Sequence, residues 1–546
     1  MGRIYRGASA VRIWLGNDAP GQRLTEALDI LRRVYRLCVR FGWDLDFIYI
    51  TIADDDLRKE SGLPGIMDEA WRSIKQLLEM PWFCRTWVIQ EVVLSREAYL
   101  HSDNTSLPWN EFCVGLLSLN HHFCFVRSDI LPSLTVYAHV MELVLTYHKA
   151  NNGRNKANLY LLTLLENHRL ARATDPRDKI YAFLGIHEEL TGNWIHGIAS
   201  DYRVTTRDAY VEAATRIIQY TSSLDVLGVA GLGNKDVPGL PSWVPDWSAR
   251  ALVSPLSYKT LDGTYLYNFN AAGVTSCDDP DSVVLKGDLL QLRGFAFDEV
   301  VRVGDVADLL LRNKETELSI TALIPHTLAL VLSWFKVSGC LERGTERYPD
   351  GQSRIEAFIR TIFLDDVPDN VILQEAPEVC RIYSNPLRSL RQRWKGEFER
   401  RWFYQTLLWS TLLRLLGHSG VGLFARALRK LEDSVTLSFT VRMRYNPQGP
   451  LDEYEGQDED AGLRIIFTRL RSLYRRLFVT ERGYIGLGPQ EMQVGDRVYL
   501  VRGSRTPLMF RAGDVGQWRL VGDCYVCGIM QGEAFDDEKC EQFVVV

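Results

Sequence analysis

Glu91 and Trp87 stand four residues apart in the stretch Pro81-Trp82-Phe83-Cys84-Arg85-Thr86-Trp87-Val88-Ile89-Gln90-Glu91. On a helix that spacing puts two side chains on one face, one above the other. The indole then shields the carboxylate from part of its water, and lost hydration raises a carboxyl pKa. A carboxylate perturbed in this way is the place where this chain would do chemistry. Glu91 is therefore the candidate catalytic group. Trp87, Trp82 and Arg85 are the candidate substrate-binding groups around it. The same pattern also suits a solvated helical glutamate beside core tryptophans, and perturbed carboxyls mark sites only statistically.

The surrounding elements have to hold this cluster. Pro81 ends one helical pattern and can open the next. No Gly or Pro follows from Phe83 until past Ser95, so the spacing predicts one helix through Glu91. Upstream, Ala10–Gly16 reads as a strand ending at a glycine. Thr25–Phe41 carries an apolar stripe at Leu28, Leu31, Val34, Tyr35, Leu37 and Cys38, and Ile66–Met80 carries another through Ala70, Trp71, Ile74, Leu77 and Leu78. Asp54-Asp55-Asp56 opens an acidic loop running to Gly65. Residues 96–170 read as apolar and mostly helical. Asp175-Pro176-Arg177-Asp178 has the chemistry of a helix start, with Asp175 as cap and Pro176 in the first turn; its charges suit an internal Arg–Asp network or a partner equally. Tyr202–Tyr220 reads as a helix, and Trp243-Val244-Pro245-Asp246-Trp247 as an extended turn whose indoles plug a core edge. Val283–Val303 predicts two short strands either side of Gly294. From Phe478 the pattern changes to short strands with glycine turns, as in a small antiparallel barrel or sheet.

At 546 residues the chain exceeds one core, and roughly two to four domains are expected. The fold class expected is α/β, followed by a mostly helical region and a small antiparallel C-terminal β domain. Its divisions fall at 1–100, 101–250, a β-rich connector at 251–304, a helical region at 305–477 with an acidic loop near 446–460, and 478–546. The hydrophobic fraction of 46% and charged fraction of 24% are those of an ordinary globular protein. A net charge of −6 supplies no basic field, which argues against general nucleic-acid binding. Arg388–Arg401 is a basic exception that suits a solvated face or an acidic surface. Ten cysteines are too few for a disulfide scaffold. The apolar stretches Ile320–Trp334 and Phe403–Phe424 are interrupted by Pro325, His326, Arg414 and His418, so neither predicts a stable membrane span. Together these features predict a soluble chain in a reduced, cytoplasmic compartment. No metal site is expected. His121 and His122 are adjacent and point apart, the aspartate run lacks further ligands, and Cys524-Tyr525-Val526-Cys527 lies in a strand pattern instead of opening a helix. No phosphate-binding glycine motif is present, since Gly483, Gly486 and Gly488 lack the lysine such a loop needs.

The motif from Pro81 to Glu91 resembles the signature of the fungal heterokaryon incompatibility (HET) domain. Ala173–Ala182, Leu240–Ser248, Gly483–Pro489 and Gly528–Glu533 resemble later segments of the same family, in order along nearly the whole chain. Met1, Ile4 and Tyr5, followed by Val11–Gly16, match a helix end and strand of that domain. The segments that the family places before them would lie upstream of Met1, so an open sheet edge is expected here. The resemblance implies a role in non-self recognition and programmed cell death. It also implies likeness to TIR domains, some of which cleave NAD with a glutamate in a W-x-x-x-E arrangement that Trp87 and Glu91 match. NAD would then be a substrate; no cofactor is expected. The alternatives are a non-enzymatic signalling module that associates with itself or with an incompatibility partner, and an inactive remnant.

Overall fold

The computed structural model describes residues 2–17, 23–41, 55–65, 68–103, 105–126, 134–152, 160–192, 195, 198–233, 235–249, 255–259, 265–273, 283–307, 330, 333–340, 347–365, 474–514 and 516–546. Most of Ile320–Trp334, the stretches at 388–401, 403–424 and 446–460, and the side chains of His121, His122 and Cys124 lie outside them. The chain mixes helices and sheets, with a β-rich C-terminal region. Among the described residues no helix is long and apolar enough to cross a membrane, and no group of His, Cys, Asp and Glu is arranged to hold a metal ion.

The N-terminal part begins with α1 (Gly2–Gly7) and β1 (Val11–Trp14), then α2 (Leu24–Arg40) and α3 (Asp55–Glu60). The predicted stripe of α2 is buried through Leu28, Leu31, Val34, Leu37 and Cys38. The acidic stretch expected as a loop is partly α3 instead, whose Arg58 is buried. A 3₁₀ turn, Glu69–Trp71, leads into α4 (Arg72–Leu78), and a second, Pro81–Cys84, precedes α5 (Val88–Val93). Residues 96–170 are not helical throughout. They start with the hairpin β2 (Ala98–Ser102) and β3 (Thr105–Pro108), before α6 (Trp109–Val126), α7 (Leu134–Asn152) and α8 (Leu161–Asn167). β2 alternates buried Ala98, Leu100 and Ser102 with half-buried neighbours, a period of two that marks a strand.

β1 runs parallel to β2, with Val11 opposite Ala98 and Trp14 opposite His101. The sheet order is β1-β2-β3, which among the described residues leaves β1 at an edge. Ile13 faces the core, while Trp14 on the other face is 59% exposed. The expected boundary at 100/101 falls inside β2. One apolar core runs on from Ile13 through α9 (Asp178–Thr191) and α10 (Thr206–Thr221) to Trp243 and Trp247. α10 starts later than Tyr202 because Thr205 caps it, accepting from the Asp208 N–H at 3.1 Å.

The C-terminal sheet gathers β4 (Val283–Lys286) and β5 (Leu289–Val306) with β6 (Arg475–Thr480), β7 (Ile485–Pro489), β8 (Arg497–Val501), β9 (Leu508–Ala512), β10 (Gln517–Asp523), β11 (Tyr525–Val526) and β12 (Glu541–Val545). The two short strands expected around Gly294 are one 18-residue strand, β5. A Cβ at Gly294 would sit 2.5 Å from the Leu500 carbonyl oxygen. The glycine thus permits close strand approach instead of ending the strand. The first half of β5 pairs with β12, and from Gly294 to Glu299 it pairs with β8. The order β5-β12-β10-β9-β8 therefore returns to β5, closing a five-stranded ring. Its pairings are antiparallel except β10–β12. The second half of β5 carries β6, β7 and β11. Segments expected as a connector and a separate C-terminal domain thus share one sheet.

A buried ion pair crosses this region. Arg475 Nη2 donates to Asp523 Oδ1 at 2.6 Å with both side chains sealed from water. Asp523 Oδ2 also accepts the Leu256 N–H at 2.6 Å. Removing one partner of such a pair strands a buried charge. Arg475→Met should lose about 3–5 kcal/mol in a denaturant titration, while the double replacement with Asp523→Leu should recover much of it.

Candidate functional site

The single helix predicted from Phe83 through Glu91 is broken, and the break builds the cluster. Pro81 takes the first position of the 3₁₀ turn. Arg85 then adopts extended geometry, φ −85° and ψ 137°, and forms a parallel bridge with Arg172. The Arg172 N–H donates to the Cys84 carbonyl at 2.5 Å, and the Thr86 N–H donates to the Arg172 carbonyl at 2.9 Å. The Thr86 hydroxyl donates to that carbonyl as well, at 3.0 Å. Backbone groups that a continuous helix would use internally are spent on a distant segment, so helix resumes only at Val88.

This break swings Trp82 over the next turn. Its indole Nε1–H donates to Glu91 Oε2 at 3.3 Å. Glu91 is half-buried, and burial pushes its carboxyl above the usual range; the Trp82 bond and the exposed Arg85 guanidinium pull it part of the way back. Tyr5 of α1 belongs to the same group. Its phenol is raised by burial and then by the Glu91 charge, with Arg85 opposing. Tyr5, Trp82, Arg85 and Glu91 are thus brought together. Trp87 is half-buried against the main core, as is Trp82. It is linked to Glu91 through the backbone, the Glu91 N–H reaching the Trp87 carbonyl at 3.4 Å. The indole hydrogen-bonded to the carboxylate is Trp82's, from outside the helix, and not the one four residues back.

Two cavities lie elsewhere. A cavity of about 550 Å³ is lined by Arg207, Lys235, Arg519 and their neighbours, and a space of about 30 Å³ by Glu166, Tyr258 and others; Glu91 lines neither.

Beneath the cluster the packing is dense. Phe83 is fully buried, edge-on to Trp82 at 5.0 Å and stacked with Phe112 at 5.5 Å. The Phe83 carbonyl meets His139 Nε2 at 3.0 Å. Gln90, next to Glu91 but on the inward face, is 2% exposed and donates from Nε2 to the Ala182 carbonyl at 2.6 Å. A Cβ on Gly185 would strike that amide at 2.8 Å, so α9 sits flush against α5. Sequence reasoning passed over Gln90, Tyr5 and Thr86. Gln90 had a readable signal, a lone amide among Val88, Ile89, Val92 and Val93, all buried. Tyr5 and Arg172 had none, because long-range contacts alone bring them here.

Other sequence candidates resolve into structure. The Asp175 carboxylate takes the Arg177 N–H at 3.0 Å and its Nη2 at 2.6 Å, and Arg177 continues to the Tyr202 and Val204 carbonyls at 2.6 and 2.7 Å. The network is internal, and α9 starts at Asp178 with Arg177, not Asp175, in the cap position. Trp243 and Trp247 are core residues, as expected of a turn that plugs a core edge, at 0% and 1% exposure. Cys524 and Cys527 are free, buried thiols, both pushed up by burial first. That suppresses the thiolate redox work requires.

Comparison with known proteins agrees with the motif at this cluster. Residues 1–91 match the family described as heterokaryon incompatibility protein (HET), and residues 460–546 match the Het-6 beta-barrel domain. The chain is 26% identical over 620 aligned positions to heterokaryon incompatibility protein 6, OR allele, of Neurospora crassa, covering 100% of this chain and 80% of that protein. This is a HET domain protein. No solved structure matches it. The HET match ends at Glu91, whereas the fold carries the domain's core onward through β2 and β3. The barrel match leaves out β4 and β5, and without β5 the ring in this HET domain protein would be open.

The histidines under the cluster generate a pH prediction. Burial lowers His139 and His148 to about 4 and His168 in the same direction. The unfolded chain takes up these protons below about 6.5, the folded chain only near 4, so stability is full above that window and falls with pH through it. The burial-raised carboxyls of Glu91 and Glu166 act in the opposite sense. A His139→Gln variant isolates the histidine contribution. Between pH 6.5 and 4.5 its unfolding free energy should fall less steeply than that of the parent, by about 1.4 kcal/mol per pH unit, as read from denaturant midpoints.

Proposed function

We propose that this protein acts in heterokaryon incompatibility, the fungal response to non-self that ends in cell death, as a signalling protein that works by association with a partner or with itself. The family match and the whole-chain likeness to the Neurospora protein support the role. The observation that carries the non-enzymatic form is the state of Glu91. Its carboxylate is tied to the Trp82 indole and lines neither of the two cavities described above. A carboxylate that serves an anomeric carbon needs room for the sugar beside it. Here the glutamate fixes the turn between Pro81 and Val88, and so the face that α1 and α5 present together.

A second reading is supported by one observation on the same group. Burial raises the Glu91 carboxyl beside an indole and a guanidinium, the environment that TIR-like cleavage of NAD would exploit. The pyridine leaves without protonation, so one carboxylate suffices; Trp82 and Arg85 would border the ribose, with Trp87 behind. A cytoplasmic location, where NAD is abundant, suits both readings.

The two separate cleanly. Glu91→Gln keeps an oxygen acceptor for the Trp82 N–H but removes the charge. Under the signalling reading, inducible expression in a fungal host should arrest growth with the parent chain and with Glu91→Gln alike, and purified protein should leave NAD unconsumed. NAD loss that disappears in Glu91→Gln, together with loss of growth arrest, would transfer the function to the enzymatic reading.

A further inference from the structure

A cavity of about 550 Å³ has no part in the functional reading above. It opens between the start of α10, the loop from Leu232 to Ser242, the β4–β5 turn and the face of β10. Its size is that of a small-ligand site, and it sits where the helical part meets the barrel, a common location for one.

Its charges are unbalanced. Three cationic side chains line it, Arg207, Lys235 and Arg519, against two anionic groups, the Asp288 side chain and the backbone carboxylate of Val546, which accepts from Ser242. Asp288 is already taken, holding Arg207 Nη2 at 2.5 Å. Lys235 is mostly buried and donates to the Pro241 carbonyl at 2.6 Å and, at 3.4 Å, to those of Leu240 and Val244. Those contacts satisfy its protons without cancelling its charge. The Asp246 carboxylate draws it electrostatically but is itself occupied by the N–H groups of Asp236, Val237, Ser248 and Ala249. Arg519 is exposed, and its neighbour Trp518 accepts the Val546 N–H at 2.9 Å. Arg519 is near enough to Lys235 for the two charges to oppose each other: burial, then Arg519, holds the Lys235 ammonium down to about 8 against the pull of Asp246. Two like charges held on one wall of a concave site are stabilised by an anion placed between them. The rest of the wall is apolar, through Leu232, Leu240, Pro241 and Leu289.

We propose that this cavity binds a small phosphorylated molecule, its phosphate between Lys235 and Arg519 and its apolar body against Leu232, Leu240 and Leu289. A phosphate dianion neutralises both cations at once, and the planar guanidinium of Arg519 can take two of its oxygens. The apolar lining adds affinity only for a ligand with carbon to bury. Ligand bound here would bridge the loop of the helical part to β10 of the barrel.

The test uses the full chain in low-salt buffer and two probes, inorganic phosphate and phenyl phosphate, followed by calorimetric titration. Phenyl phosphate should bind saturably and more tightly than phosphate. Arg519→Ala, at an exposed position, should weaken it by about tenfold or more, the scale of one charge-assisted contact. Arg96→Ala, an exposed arginine far along the chain, should leave it unchanged. Absence of saturable binding by either probe would overturn the proposal. Equal weakening by both substitutions would reduce it to general charge attraction and overturn it too. Phosphate binding as tight as phenyl phosphate would overturn the apolar subsite.

Discussion

The helical part hangs on one buried cation. Arg169 and Glu166 pair at 3.1 Å with both side chains only 8% exposed. Taking two charges out of water costs several kcal/mol apiece, and mutual attraction offsets that only when the remaining donors are also satisfied. They are. The guanidinium reaches the carbonyls of Asp246 at 2.6 Å, Ala249 at 3.3 Å and Val229 at 3.4 Å. Its own carbonyl accepts Lys179 Nζ at 2.8 Å. Three residues on, Arg172 forms the bridge that breaks the helix below Glu91. One short segment therefore ties the Trp-Val-Pro-Asp-Trp turn, the start of α9 and the Trp82–Glu91 turn to each other. Burial still presses the Glu166 carboxyl upward against the pull of Arg169, so the arrangement specifies geometry more than it adds stability.

Asp246 completes that logic on the other side. Burial drives its carboxyl up, yet hydrogen bonds from Ser248, Val237 and Ala249 outweigh it and leave the group below the usual carboxylate range. A carboxylate that accepts this many donors cannot act as a base at neutral pH. It organises the turn, and Trp243 then reaches across to the Asp288 carbonyl at 2.8 Å, fastening the helical part to the β4–β5 turn.

What could be read from the letters follows the range of the interactions. The stripe of α2 was legible because 3.6-residue periodicity is local, and so were the glycine-punctuated strands after Phe478. β5 was not. Gly294 reads as punctuation, and only the Leu500 carbonyl, far along the chain, shows why a side chain is excluded there. The acidic run at Asp55 formed a helix that composition alone assigns to a loop. At the candidate site Trp82, Arg85 and Glu91, singled out from the motif, do come together, but not in the arrangement their spacing suggests. Local spacing pairs Glu91 with Trp87; the backbone bridge to Arg172 replaces that with Trp82. The family resemblance came from motif order, which survives such rearrangements.

The break in the helix also sets what Glu91 can do. Had helix run on from Phe83, Trp82 would lie more than two turns from Glu91 and the carboxylate would stand free beside Trp87. The bridge trades that openness for an indole N–H donor and a half-buried acid. An acid in that state resists ionisation more than a surface glutamate and has one oxygen already engaged. Freeing the engaged oxygen would mean moving Trp82, which is held edge-on by Phe83 and by Trp109 at 5.8 Å. Moving it means disturbing an aromatic stack whose inner members are fully buried. The packing that makes this glutamate unusual is the packing that holds the Trp82 indole against it.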